Sequence, residues 1–360
     1  MLDFLIIGAG LFGSTFARLA TDRGYKCLVI DRRDHIAGNC YTKEIDDIHV
    51  HMYGPHSFHT NNDEIWKFVN QFAEFNSFVT RTKVLHQGDI YSFPINLFTL
   101  HQVWGVRTPT EAYLKLKEVK VDIPNPKNLE EWCLSQIGEE LYNIFIYGFT
   151  RKQWGKEPKE LPSSIIKRLP IRLTHDDNFF NDKHQGIPIG GYTGMFKNML
   201  DGIPVELGVD FFKNRDRWDA KRIVYTGPID EFFDYEYGQL EWRSLRFEHR
   251  TIKDCDYQGN AIVNYAEESI PFKRIIEHKH FDLRGQKNTV ITKEYPQAWT
   301  PEVEKIYTIN DEANNLLYQK YKNIIPDKFI FGGRLAEYKY YDMHQAIGAA
   351  MSMFRKRVGK

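Results

Sequence analysis

Three glycines stand at the spacing G-x-G-x-x-G in Gly8-Ala9-Gly10-Leu11-Phe12-Gly13, directly after the apolar run Phe4-Leu5-Ile6-Ile7. Each has a mechanical job where a strand turns into a helix around a phosphate. The first permits the tight turn, the second lets backbone approach a pyrophosphate, and the third lets helix and strand pack closely. The following helix N-terminus adds partial positive charge. Asp31 closes the next strand-like run, Cys27-Leu28-Val29-Ile30, where a carboxylate can accept hydrogen bonds from an adenosine ribose. The same carboxylate repels a ribose 2′-phosphate, which disfavours NADP in spite of Arg32 and Arg33. This order of parts predicts a dinucleotide site; the plain alternative is a glycine-rich turn in an ordinary α/β protein.

Other reactive side chains read differently. Gly54-Pro55-His56-Ser57-Phe58-His59-Thr60 packs two histidines into a turn, with no carboxylate at metal-ligand spacing. His278 and His280 can share a strand face, again without a metal signature. Asp176-Asp177 precede an aromatic run read as helical, so they are expected to cap it rather than to act as paired acids. No metal site is predicted. Cys27, Cys40, Cys133 and Cys255 include no CxxC pair, which excludes a zinc ribbon, a disulfide framework and a dithiol relay, and fits a reducing cytosol.

The elements that must position these groups are legible in outline. A helix is expected from Leu11 to about Arg23, and His35-Ile36-Ala37-Gly38-Asn39-Cys40 forms a second glycine-containing turn. This resembles the extended fingerprint of FAD proteins with the glutathione-reductase-like fold, in which that turn lies along the cofactor. Near the other end, Phe329-Ile330-Phe331 reads as a strand, Gly332-Gly333-Arg334 as a turn and 343–357 as a helix that returns to the flavin. FAD is therefore the expected cofactor. Gly190-Gly191-Tyr192-Thr193-Gly194 lacks the spacing for a second Rossmann unit. Gly88-Asp89 marks a hairpin, Thr108-Pro109 and Asn128 mark helix starts, and 97–185 reads as mostly helical. Strand signals return at 205–209, 222–225, 241–251, 261–281 and 288–293, before a helix at 311–323.

The chain has 360 residues, with 48 basic and 48 acidic side chains and a formal net charge of zero. That balance argues against a nucleic-acid footprint and a polybasic membrane surface. The 25 Phe, 20 Tyr and 7 Trp suit a large core and a pocket that stacks flat rings. Strand-like residues begin by Phe4, and no apolar run reaches the roughly 18 residues of a membrane span. A cytoplasmic protein is expected.

Four further segments belong together: Phe149-Thr150-Arg151-Lys152-Gln153-Trp154-Gly155, Lys167-Arg168-Leu169-Pro170, Lys273 to Phe281, and Gly332-Gly333-Arg334 with Tyr338-Lys339-Tyr340-Tyr341-Asp342-Met343. In order and spacing, nearly end to end, they resemble the bacterial UDP-galactopyranose mutase family. The resemblance implies an α/β fold: a discontinuous FAD-binding Rossmann domain (1–76, 186–240, 311–360), a helical domain with a mobile substrate loop (97–185), and a twisted antiparallel sheet domain (77–96, 241–310). It also implies a homodimer and an external reductant. The implied reaction interconverts UDP-galactopyranose and UDP-galactofuranose without net redox change, through a reduced-flavin N5–sugar adduct and an iminium intermediate. Two arginines suit a departing diphosphate, since guanidinium stays charged and grips oxygens with a fork.

By match to the family motifs those arginines are Arg168 and Arg274, the implied catalytic residues. Substrate contacts are implied for Thr80, Phe149, Thr150, Trp154, Phe179, Asn264, Tyr307 and Tyr340. Cofactor contacts are implied for Gly8, Gly10, Phe12, Gly13, Asp31, Gly38, Asn39, His56, Ser57, Arg334, Tyr341, Asp342, Met343, His344, Gln345 and Ala346, with His59 close by. Phe149 and Phe179 stand where relatives carry tyrosine; stacking survives but the hydroxyl contacts are lost. UDP-N-acetylgalactosamine is the alternative substrate. Rival readings are an FAD oxidoreductase such as an amine oxidase, and a non-catalytic UDP-sugar-binding protein.

Overall fold

A computed structural model describes residues 1–166 and 169–359. The chain opens with β1 (Leu2–Ile7), α1 (Leu11–Thr21) and β2 (Cys27–Asp31). A small hairpin, β3 (Thr42–Ile45) with β4 (Ile48–His51), leads through β5 (Phe58–Thr60) to α2 (Asp63–Val69). A second hairpin, β6 (Thr82–His86) with β7 (Asp89–Phe93), precedes α3 (Leu97–Trp104), α4 (Pro109–Val119), α5 (Leu129–Tyr142) and α6 (Gly148–Trp154). Next come β8 (His184–Gly186), α7 (Gly191–Met199), β9 (Val205–Leu207), β10 (Ala220–Tyr225) and α8 (Ile229–Phe232). The strands β11 (Trp242–Ile252), β12 (Ile262–Tyr265), β13 (Arg274–Glu277) and β14 (Thr289–Ala298) follow. The chain closes with β15 (Tyr307–Thr308), α9 (Glu312–Lys322), β16 (Phe329–Phe331) and α10 (Met343–Val358). Among the described residues no helix is long and apolar enough to cross a membrane.

These elements form two compact units. The first comprises Met1–Phe78, Asp182–Trp242 and Lys305–Lys360; the second comprises Val79–Asn181 and Arg243–Glu304. In the first, β16, β10, β1, β2 and β9 lie side by side in that order, all parallel. Every residue of β2 is buried, as expected for a parallel strand covered on both faces. Phe12, Phe16, Ala17 and Ala20 of α1 pack with Ala350 and Phe354 of α10 over this sheet. The first and last helices thus share one core with β1.

In the second unit the sheet order is β11, β14, β13, β12, β6, β7. Its pairs are antiparallel except β12 with β6, so the sheet is mixed rather than wholly antiparallel. The β6–β7 hairpin turns at Gln87-Gly88, both at positive φ. Val84 and Phe93 of the hairpin share a core with Leu100, Leu116, Leu129 and Leu141 of the helices. Asn96, Thr108 and Asn128 cap α3, α4 and α5 by accepting first-turn N–H groups. Gly138 breaks α5 at φ 74°, where an added Cβ would stand 2.5 Å from the Val119 carbonyl oxygen. A π-helical stretch, Asn143–Tyr147, then leads straight into α6.

Three expectations need correction. After Trp154 the segment to 185 is not mostly helical; the described residues hold only short 3-10 turns and extended chain. Asp176 and Asp177 cap no helix. Phe179 N–H donates to the Thr80 carbonyl at 2.7 Å, which holds that run extended, and Asp177 pairs with Arg81 (3.1 Å) and Lys83 (3.0 Å). His278 and His280 share no strand face, because β13 ends at Glu277 and 278–281 form a 3-10 turn. His278 is buried against the Thr292 hydroxyl (2.6 Å), and burial pushes its pKa down to about 3, with His249 adding repulsion.

Glu277 is wrapped by the preceding loop. Its carboxylate accepts from the N–H groups of Tyr257, Gln258 and Gly259 and from the Thr289 hydroxyl. Burial alone would raise its pKa; these donors and His280 outweigh that and hold it at about 2. Asp256 and His280 also come within ligand reach of Glu277, but Glu277 is already saturated and Lys279 Nζ sits 2.6 Å from Asp256. The group is a polar clasp, with no open ligand position on Glu277. Because the native pKa lies below the ordinary 4.5, the charged form stabilises the fold above pH 4.5, and that contribution fades as pH falls toward 2. It is on the order of 3 kcal/mol. Thermal melts between pH 5 and pH 2.5 should therefore show a steeper loss for wild type than for Glu277→Gln; parallel curves would exclude the clasp as a source of acid lability.

Candidate active site

The first unit builds a nucleotide cradle from close backbone contacts. Gly8 has φ 109°, and a Cβ there would lie 1.9 Å from Thr226 Oγ1; a Cβ on Gly13 would lie 2.0 Å from the Gly8 carbonyl oxygen. Gly10 is different: a Cβ there would meet only the Gly38 Cα, at 3.8 Å. The two glycine turns thus face each other, joined by Ala37 N–H donating to the Ala9 carbonyl at 2.9 Å. Asp31 braces both sides, accepting from Ala9 N–H (2.7 Å) and Arg33 N–H (2.9 Å). Arg33 also donates to Asn39 Oδ1 and lies 4.5 Å over the Tyr53 ring. Gly10 caps α1 without any side-chain acceptor, which leaves first-turn N–H donors for phosphate oxygens. Open space at Gly10, an uncapped helix start and a ribose-side carboxylate fit the adenosine diphosphate portion of FAD.

Late chain returns to this cradle. Phe12 covers the turn after β16: a Cβ on Gly332 would lie 2.0 Å from the Phe12 ring. Arg334 donates to the Tyr341 carbonyl at 2.7 Å and to the Ile306 carbonyl at 3.4 Å, and its guanidinium lies 4.8 Å over Tyr340, which stacks on Tyr307 at 6.0 Å. Asp342 and Gln345 form the capping box of α10, Ala346 N–H donates to the Asp342 carbonyl, and Met343 sulfur meets Cys40 Sγ at 3.6 Å. His344 is lowered by burial and by neighbouring His59, whose ring it meets edge-on at 4.9 Å. His59 Nδ1 lies 2.6 Å from Asp182 Oδ2, a partner the sequence did not suggest. His56 N–H donates to His51 Nδ1, and Ser57 leads directly into β5.

The second unit gathers charge. Arg274 and Asn264 are cross-strand partners on β13 and β12, and Arg274 Nε donates to Asn264 Oδ1 at 3.1 Å. Glu294 of β14, 1 % exposed, lies 3.6 Å from the same Nε and 3.2 Å from Lys273 Nζ. Lys273 in turn donates to Gln153 Oε1 at 2.7 Å. Two cations thus share one carboxylate, and positive charge is left over. The Phe149 ring lies 5.9 Å from the Arg274 guanidinium, whose two terminal amino groups have no partner among the described residues. Thr150 is buried on the same helix; Trp154 packs on the helical core, before Gly155 at φ 64°. Thr80 and Phe179 form a second group through their backbone bond, and the Thr80 hydroxyl is buried without a partner among the described residues. Arg168 lies outside the described residues.

Sequence reasoning missed Lys273, Glu294 and Gln153 as parts of this cluster, and Lys152 against the neighbouring loop. Lys152 Nζ donates to four loop carbonyls; burial draws its pKa down to about 8, while Glu267 and Glu268 oppose that shift. The available signal was the two-residue spacing of Thr292 and Glu294, which puts both on one face of a strand.

A family model for UDP-galactopyranose mutase matches residues 144–340, and one for NAD(P)-binding Rossmann-like domains matches residues 6–72. The chain is 41% identical to a dTDP-fucopyranose mutase of Escherichia coli, covering 98% of this chain and 97% of that one. It is 42% identical to a probable UDP-galactopyranose mutase of Klebsiella pneumoniae, covering 97% and 93%. A crystal structure of reduced UDP-galactopyranose mutase superposes with TM-score 0.77 at 15% identity, over 99% of this chain and 94% of that one, a likeness of fold.

The cradle makes a sharp demand at Gly10. Its φ of −83° accepts alanine and no protein atom crowds the site, so Gly10→Ala should fold and melt like wild type. The added methyl fills the space a pyrophosphate would use, and flavin affinity should fall about tenfold or more. Flavin absorbance per mole of purified protein reads this out; full flavin content would refute the assignment of Gly10.

Proposed function

The chain belongs to the UDP-galactopyranose mutase family of FAD-dependent isomerases, and on that premise we propose that it interconverts UDP-galactopyranose and UDP-galactofuranose. The observation that carries this reading is the posture of Arg274. Its Nε edge is held by Asn264 and backed by Glu294, so the outer edge of the fork is left for the oxygens of a diphosphate. As the bond between the anomeric carbon and the diphosphate breaks, negative charge grows on the leaving group. A fixed guanidinium in a site with surplus positive charge stabilises that charge without reorganising.

Other residues receive roles on the same reading. Arg168 supplies a second guanidinium fork for the diphosphate. Phe149 and Phe179 stack on the base, and Thr80, Thr150, Trp154 and Asn264 contact the sugar nucleotide; Tyr307 and Tyr340 are assigned substrate contacts on the family resemblance alone. Gly8, Gly10, Asp31, Gly38, Asn39 and Arg334 hold the cofactor, and residues 341–346 with Phe12, Gly13, His56 and Ser57 complete its surroundings. The chemistry the group would supply when bound and reduced is a nucleophile for the anomeric carbon, and the residues named here would hold it and orient the sugar nucleotide against it. We assign the three-part domain division given above, a cytoplasmic homodimer and an external reductant to the same reading.

A second substrate is favoured by one observation: identity to the dTDP-fucopyranose mutase nearly equals identity to the UDP-galactopyranose mutase. Phe149 and Phe179 bear on the choice, since neither offers a hydroxyl to the nucleotide. UDP-N-acetylgalactosamine is a third candidate.

The test is chromatography of each sugar nucleotide after incubation with the purified protein, with and without dithionite. A furanose peak from UDP-galactose only in the reduced sample is expected, and no peak with bleached flavin would refute a mutase. Arg274→Ala and Arg168→Ala should each retain flavin and lose roughly a hundredfold or more in kcat. Near wild-type kcat in either variant would remove that arginine from the mechanism.

A further inference from the structure

The segment from Tyr265, the last residue of β12, to Phe272 leads into β13, and four of its carbonyls converge on one atom. Lys152 Nζ donates to the carbonyl oxygens of Tyr265 (2.5 Å), Glu267 (2.7 Å), Ile270 (3.1 Å) and Phe272 (3.1 Å). An ammonium has three protons, so the four acceptors share them around a compact point charge. The rest of α6 lies on the same loop. A Cβ on Gly148 would stand 2.1 Å from the Ala266 carbonyl oxygen, and Arg151 pairs with Glu268. The far end of the helix is held by the sheet: Arg243 Nε donates to the Gln153 carbonyl at 3.0 Å, and Lys273 Nζ to the Gln153 side chain.

The two ends of this loop are the residues that matter. Asn264 stands one position before it and Arg274 two positions after it, and they are hydrogen-bonded to each other. Phe149, Thr150 and Trp154 stand on the helix that the loop grips. Lys152 touches neither the Arg274 guanidinium nor the Asn264 amide, yet its ammonium joins the pieces that carry both groups. Satisfying loop carbonyls does not by itself require a charge, because water does that at an exposed turn. Drawing an ammonium out of water costs several kcal/mol unless its acceptors are well placed, and here they come from one loop and serve one helix.

We infer that Lys152 is a positioning residue, an internal cation that docks α6 onto the β12–β13 loop and so sets Phe149, Thr150 and Trp154 relative to Arg274 and Asn264. This rests on the reading of Arg274 as the diphosphate fork.

Lys152→Met keeps side-chain length and removes charge and donors. Flavin content should stay at the wild-type level, because the nucleotide cradle lies in the other unit. The dissociation constant for UDP should rise and kcat should fall about a hundredfold, the scale of a displacement of roughly 1 Å among reacting groups. Combined with Arg274→Ala, the loss should be well below the product of the separate losses, since a misplaced fork that is already absent costs nothing more. In Lys152→Ala, ammonium chloride should restore part of the turnover where choline chloride at equal ionic strength does not. Wild-type kcat and UDP affinity in Lys152→Met, a fully multiplicative double variant, or indifference to ammonium would each overturn the inference. Unchanged UDP affinity in Arg274→Ala would instead overturn the reading beneath it. If neither Lys152 variant folds, the wild-type protein decides. A lysine side-chain 15N resonance that exchanges slowly at neutral pH and moves on adding UDP is expected, and its absence overturns the inference.

Discussion

A single carboxylate, Glu294, sits out of water between two cations, and the chemistry of the second unit depends on that arrangement. A buried carboxylate is costly unless paired. Lys273 at 3.2 Å and Arg274 at 3.6 Å offset the cost, and because there are two of them the cluster keeps a surplus of positive charge. An anion is what such a cluster lacks. The same carboxylate restrains the Nε edge of Arg274, so the direction of the fork and the charge of the site come from one interaction. Removing Glu294 would leave two cations facing each other; removing Lys273 would leave the buried carboxylate with its looser partner alone.

The first unit solves a different problem by a different device. There the constraint is distance between backbones: Gly8 against Thr226, Gly13 against the Gly8 carbonyl, Gly332 against Phe12. Side chains at these positions would push the strand, the helix and the returning late segment apart. Gly10 differs because the space it leaves is not filled by protein. Asp31 adds stiffness by accepting two backbone N–H groups, one on each glycine turn's approach. The cradle is thus shaped before any ligand arrives, which lowers the ordering cost of binding.

Between strands and chemistry lie the helices, and their local signals were readable. Asn128 three residues before Glu131 and Thr108 before Pro109 each write a cap into a four-residue window. Gly88-Asp89 marks a hairpin in the same way, and the turn falls one residue earlier, at Gln87-Gly88. Those readings rest on hydrogen bonds between near neighbours. The run from Asp176 to Asn181 misled for the complementary reason. Its acids and aromatics resemble a capped helix, but the Phe179 N–H donates to the distant Thr80 carbonyl, which no local window contains.

By itself the sequence determined the α/β class, the place of the glycine turns, the caps, and the motifs that carry the family resemblance. Its charges, however, carry no information about which strands will be neighbours. Nothing local to Lys152 in its motif points to a partner until the chain from β12 to β13 brings four carbonyls to it. Glu294 lies just past the 288–293 strand signal and gains its meaning only when β13 lies beside β14 in a register that sets it opposite Arg274. Tertiary structure decided these pairings because ion pairing and desolvation depend on cross-strand register and burial, which are properties of the assembled sheet rather than of any segment of the chain.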